Sequence, residues 1–267
     1  MRLAAIARFL FALSMAGLGA LTLVYHELAP LWRPLAAWIP WICGPIVLAA
    51  SIGLWIPRTA LLCVSAIGAY LAAWVLCGVP ALVAKPLAVG SWYAVCEALG
   101  PFAAAWVLGA TLCGQWSAID WISGERAMRA GRVLFGLSCV VYGLAHFAYA
   151  DFTAGMVPGF LPDRLGVARL TGLAHIAAGA GIAVNILPRL AAMLEAAMMS
   201  SFGLLVWLPT LFESPPPAWA TPPRNQWSEI VVTLLLAASA WIVAASLRRP
   251  PRRGPGSEVR AVSLGRP

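Results

Sequence analysis

Charge is what this sequence has least of. Of its 267 residues only 10% are Asp, Glu, Lys or Arg, while 61% are hydrophobic and the mean hydropathy is +0.84. A soluble domain carries about 25% charged residues. A water-soluble fold of this size could not cover itself with so few, whereas a bilayer removes the need. Histidine is scarce too: the three residues are scattered and form no metal-ligand spacing. The six cysteines include no C-x-x-C or C-x-x-C-H pair and all fall in apolar segments. They read as buried structural thiols rather than zinc, haem or disulfide positions. No phosphate loop, nucleophile elbow or dinucleotide fingerprint occurs. No cofactor is therefore evident from motifs, and the chain on its own does not read as an enzyme.

Long apolar runs are what the sequence has in plenty. A membrane span needs about 20 apolar residues. Eight candidates meet that need, at 4–24, 36–56, 59–79, 93–113, 132–149, 165–187, 190–211 and 228–247. The second is interrupted by Pro40 and Pro45, with Trp38 and Trp41 at an interfacial level. Eight spans put both termini on one side, together with the loops after spans two, four and six. That side would hold 13 of the 18 Lys and Arg residues; Arg33, Lys85, Arg164, Arg169 and Arg224 are the other 5. The positive-inside rule then places both termini in the cytoplasm. The net charge of +8 is thereby explained without nucleic acid. The first span imitates a signal peptide, but its motif recurs later, so it reads as a retained span.

That recurrence is an internal repeat. Arg8-x-Leu10-Phe11-x-Leu13-Ser14 returns as Arg132-x-Leu134-Phe135-x-Leu137-Ser138, Pro57-Arg58 as Pro188-Arg189, and Trp74 as Trp207. The expected architecture is all-α: two four-helix membrane repeats in parallel orientation, at 1–113 and 132–247. A cytoplasmic connector, 114–131, joins them. The proline-rich stretch 212–227 reads as a stiff external loop. The basic tail, 248–267, reads as disordered, with Arg248, Arg249, Arg252 and Arg253 available to anionic lipid or acting as a stop-transfer anchor.

Ionisable residues inside spans are functional candidates by default. His175 falls near mid-span in the sixth segment and Glu195 in the seventh. Counted through the Pro188 turn, they differ in depth by roughly 9 Å at 1.5 Å per residue. Direct pairing would then need helix tilt or a bridging water. Together they suggest a proton relay, a polar pocket for a quinone or similar headgroup, or a structural hydrogen bond between helices. Tyr142 and His146, four apart on one helix face, form a second candidate with Asp151, or an interfacial anchor. Glu97 and Glu229 are expected to pair with Lys85 and Arg224, respectively.

The second half also resembles a known family. The residues that carry this are Arg132–Ser138, Gly143-Leu144-Ala145-His146-Phe147, the loop Asp151–Pro158, Thr171-Gly172-Leu173-Ala174-His175 and Pro188-Arg189-Leu190-Ala191-Ala192. In that order they resemble the DoxX family of bacterial membrane proteins over residues 130–247, with a faint copy in the first half. The resemblance implies a four-helix bundle in the bacterial cytoplasmic membrane. It also implies a membrane subunit or accessory of a redox or sulfur-stress system, quinone-linked, with an oxidoreductase as partner. Relatives usually carry a glutamate where His175 stands, which puts in doubt any role that needs a carboxylate there. Two other functions fit the residues: a non-enzymatic scaffold, and a small-solute transporter, for which no span is clearly broken at mid-membrane.

Overall fold

A computed structural model describes residues 2–31, 36–113, 124–213 and 222–247. Among these residues there are only helices, turns and bends. The helices are α1 (Arg2–Tyr25), α2 (Ile39–Gly53), α3 (Ala60–Ala84), α4 (Val89–Cys113), α5 (Glu125–Ala148), α6 (Ala150–Met156), α7 (Arg164–Ala183), α8 (Pro188–Phe202) and α9 (Pro223–Ser246). A five-residue π-helical stretch, Gly203–Trp207, and a short 3-10 turn extend α8 to Leu211. Seven of these segments are long and apolar enough to cross a membrane, α8 with its extension being one of them. The chain is therefore a multi-pass membrane protein.

Several boundaries differ from the sequence expectation, each for a local reason. The second candidate, 36–56, yields a helix of only 15 residues, about 22 Å long. Pro57 disfavours helical geometry at Ile56, and the Thr59 hydroxyl donates to the Gly53 carbonyl at 2.7 Å, closing a turn over 54–59. The fifth helix starts at Glu125, seven residues early, so the end of the expected connector is helical. Residues 151–156, expected as loop, form α6, with Asp151 in its first turn. Helix α7 stops at Ala183, short of the expected end at 187, because Asn185 and Leu187 adopt left-handed backbone. Asp163 starts it by accepting from the Gly166 amide at 3.0 Å. Prolines at the first positions of α8 and α9 suit the missing N–H there. The basic tail and residues 114–123 and 214–221 lie outside the described residues, as do Arg248, Arg249, Arg252 and Arg253.

The helices pack as a closed ring. Neighbours follow the order α1, α2, α3, α4, α5, α7, α8, α9 and back to α1, and α4 also touches α9 across the middle. Those two are the most enclosed, with 61% and 72% of their apolar windows buried, against 28–44% elsewhere. Both are rich in buried alanine: Ala103, Ala104 and Ala105 on α4, Ala237, Ala238 and Ala240 on α9. Small side chains let helix backbones approach where lipid removes the hydrophobic drive. Large apolar residues such as Leu62, Leu76, Val83, Leu170 and Leu194 point outward. Such a surface suits lipid and would aggregate in water.

The tightest approach is between α5 and α7. A Cβ on Gly136 would lie 2.6 Å from the Gly179 carbonyl oxygen, and one on Gly143 would strike the Gly172 carbonyl. The two pairs are seven residues apart on each helix, running in opposite directions, so the helices are antiparallel and in register over two turns. Gly143→Ala should therefore force backbone apart, costing about 3 kcal/mol. Gly68→Ala, where a Cβ meets nothing within 4 Å, should be neutral or better. Unfolding of both variants in an SDS titration checks this; equal stability would refute the close packing.

Candidate functional site

Because the glycines bring α5 and α7 together, side chains on their facing surfaces meet directly. Tyr142 and His146 lie one turn apart on α5, and His175 projects from α7 between them. The His146 and His175 rings are 5.1 Å apart, and the Tyr142 and His175 rings 6.1 Å. Phe202, the last residue of α8 before its π-helical stretch, closes the group. It stacks on His146 at 5.9 Å and meets His175 at 5.8 Å.

The centre is a pair of buried ionisable residues. His175 and Glu195 are each 1% exposed. His175 Nδ1 stands 2.8 Å from Glu195 Oε1. For a carboxylate to accept, Nδ1 must carry the hydrogen. The other carboxylate oxygen, Oε2, is buried with no hydrogen-bond partner. The Cys139 thiol lies beside the same carboxylate, its Cβ against α7 at Gly179.

Direct pairing replaces the 9 Å separation expected from residue counting. Residues 184–187 are not helical and add no depth. His175 is eight residues before the end of α7 and Glu195 seven after the start of α8, which puts them at about 12 Å and 10.5 Å from the turn. The Ile186 amide donates back to the Gly181 carbonyl at 2.9 Å, folding the turn tightly enough to keep these levels.

The two candidate sites thus merge, except for Asp151. That residue is exposed in the first turn of α6 and is not part of the cluster. Tyr142 is buried and donates to the Cys96 carbonyl of α4 at 2.7 Å. Through this bond the first half of the chain braces the site. His146 Nδ1 contacts the Ala168 carbonyl at 3.1 Å and the Thr171 hydroxyl at 3.0 Å. Phe202, Thr171 and Cys139 carry no functional mark of their own in the sequence. Only Cys139 left a signal there, sharing a helix face with Tyr142 and His146 by spacings of three and seven.

Other charged residues pair differently from expectation. Arg224 binds Glu27 at 2.8 Å rather than Glu229, because α9 begins beside the end of α1. Glu97 has Glu229 and the Tyr93 hydroxyl as electrostatic neighbours, not Lys85, which is exposed. Among the described residues no group of three or more His, Cys, Asp and Glu is placed to hold a metal.

Removing either partner of a buried pair strands the other, typically at several kcal/mol. His175→Ala and Glu195→Ala should each lower unfolding free energy by about 3 kcal/mol. The apolar double variant His175→Phe/Glu195→Leu should lose less than the sum of the single changes. A double-mutant cycle in SDS unfolding measures this; additivity within about 0.3 kcal/mol would mean the two do not interact. Comparison with family models, with curated proteins and with solved structures finds no match to this chain.

Proposed function

We propose that this chain is a DoxX-like membrane component of a quinone-linked redox or sulfur-stress system, and that His175 and Glu195 handle its protons. The observation that carries the reading is the buried, unsatisfied Oε2 of Glu195, whose other oxygen pairs with His175, itself ringed by Tyr142, His146 and Phe202. A buried carboxylate oxygen without a donor is costly. The hydroxyl of a quinol, the reduced form of a quinone, would supply that donor, and the stacked rings of His146 and Phe202 would offer a wall to its face. A quinone, when bound, supplies two-electron, two-proton redox chemistry. The chain's own part is to accept a hydrogen at Oε2, to hold Oε1 through the His175 Nδ1–H, and to keep bulk water out. The glutamate that the resemblance leads one to expect at position 175 is absent, but a carboxylate reaches the same place from α8.

The fold reading that goes with this is two four-helix units, α1–α4 and α5, α7, α8, α9, related by an axis along the membrane normal. The helix neighbours support it. Exchanging the units maps α1–α2–α3–α4 onto α5–α7–α8–α9, the α4–α5 contact onto α9–α1, and the α4–α9 contact onto itself. On this reading α2 crosses despite its length, with flanking residues or local bilayer thinning covering the mismatch, and the membrane is the bacterial cytoplasmic one.

Two experiments follow. Purification in mild detergent with mass spectrometry of bound small molecules should recover quinone. Glu195→Gln, nearly isosteric, should reduce its recovery about tenfold while the protein still elutes as folded. No quinone with the unaltered chain, or equal recovery with the variant, would leave a structural or partner-recruiting protein in its place. Reporters fused to the two ends should both register the cytoplasm. Opposite sides would show that α2 does not cross.

A further inference from the structure

Arg8 and Arg132 hold matching positions in the repeated Arg-x-Leu-Phe-x-Leu-Ser motif, yet their surroundings differ. Arg132 is fully engaged. Its Nε donates to Ser246 Oγ at 3.1 Å, one terminal nitrogen to Glu125 Oε1 at 2.8 Å, and the other to the Ser246 carbonyl at 3.0 Å. These bonds tie α5 to the C-terminal end of α9. Arg8 Nε, by contrast, is buried and has no hydrogen-bond partner. Its guanidinium lies over the Trp55 ring, 5.5 Å from the centroid. Phe9 meets the same ring edge-on at 5.3 Å.

An indole face attracts a cation but accepts no N–H hydrogen bond in the guanidinium plane. A guanidinium stays charged and carries five donors. Leaving a buried one of them unanswered is costly. The position therefore asks for an acceptor that the matching site in the second half finds within the chain.

The surroundings say what kind of acceptor fits. Trp55 sits in the turn between α2 and α3, which is well fixed. The Trp55 amide donates to the Ile52 carbonyl, the Ile56 amide to Gly53, and the Thr59 hydroxyl to Gly53, at 3.1, 3.1 and 2.7 Å. Arg58, exposed in the same turn, adds a second cation. Arg8 is six residues into α1, about 9 Å along its axis. Since α2 is short, its turn meets α1 at that level and not at the helix end. Arg8 and Trp55 thus lie in a recess at the depth of lipid headgroups. Its flanks are apolar: Ile6, Phe9 and Leu13 of α1 and Ile52 of α2 are about half exposed or more.

We propose that this recess binds the phosphate of an anionic phospholipid. The Arg8 fork and the Arg58 charge meet the headgroup, Trp55 holds the guanidinium in place, and the acyl chains lie along the apolar flanks of α1 and α2. Guanidinium and phosphate match as a bidentate pair, and a second cation favours a lipid with net negative charge over a zwitterionic one.

The test uses the full chain in detergent, offered phosphatidylglycerol or phosphatidylcholine, with retained lipid read by native mass spectrometry. Phosphatidylglycerol should be retained about tenfold better. Arg8→Gln should drop it to the phosphatidylcholine level. Trp55→Leu, which leaves every charge in place, should weaken it as well, and Arg8→Lys should keep only part of the preference. Added inorganic phosphate should displace none of it. Equal retention of the two lipids, or an unchanged preference in Arg8→Gln, would overturn the proposal. If Arg8→Gln does not fold, an unchanged preference in both Trp55→Leu and Arg8→Lys would do the same. Displacement by inorganic phosphate would assign the recess to a free anion and not to lipid.

Discussion

The contact on which the candidate site depends is the glycine-to-glycine approach of α5 and α7. In lipid there is no hydrophobic force to press two helices together, so close association must come from packing itself. Gly136 against Gly179 and Gly143 against Gly172 remove the side chains that would hold the backbones apart. The consequence is chemical as well as mechanical. Only at this separation can the ring of His175 reach both Tyr142 and His146. His175 then leaves its Nδ1 turned toward the next helix, where Glu195 waits. An ordinary interface with leucines in those places would push the histidine outward and break the pair.

Burial makes that pair consequential. Both residues are 1% exposed, and the Born penalty for an isolated charge at such depth is far larger than one hydrogen bond returns. The pair can exist because each member answers the other. Its remaining imbalance lies at one atom, Glu195 Oε2. If the pair served only to tie α7 to α8, an apolar contact would do that work at lower cost. An ionisable pair with an open acceptor is the more expensive arrangement, and its expense argues for use.

Much of the fold could be read from the sequence, since seven spans announce themselves by length and hydropathy alone. The misreadings have specific causes. Hydropathy could not see that Pro57 and Thr59 would close a turn and shorten α2. Stretch 151–156 is too short for a periodic signal, so α6 read as loop. The depth of His175 relative to Glu195 came out wrong because two non-glycine residues, Asn185 and Leu187, take left-handed backbone, which no propensity foretells. The members of the pair were legible from burial cost alone. Phe202 was not, because a phenylalanine in an apolar run carries no mark of what it will stack on. Charge partners were the least legible: Glu229 looked destined for Arg224 by sequence proximity, but α1 brings Glu27 closer.

On the two-unit reading, the halves have diverged in a way that assigns them different work. The helices that would correspond to α7 and α8 are α2 and α3. These carry no carboxylate and no histidine; their polar side chains are cysteines, serines, Tyr70 and the indoles of Trp41 and Trp74. The first unit therefore has no counterpart of the His175–Glu195 pair. It nonetheless takes part in the site that exists, because the Tyr142 hydroxyl bonds the Cys96 carbonyl and sits against Gly100, where a Cβ would lie 2.5 Å from it. Loss of the pair in one unit would leave its framework free to serve as a brace. The α4 backbone does so, holding Tyr142 in the orientation that packs it against His175. The same division accounts for Arg8. Where the second unit closes its arginine onto α9, the first leaves it open beside a short helix, at the edge of the bundle that lipid reaches.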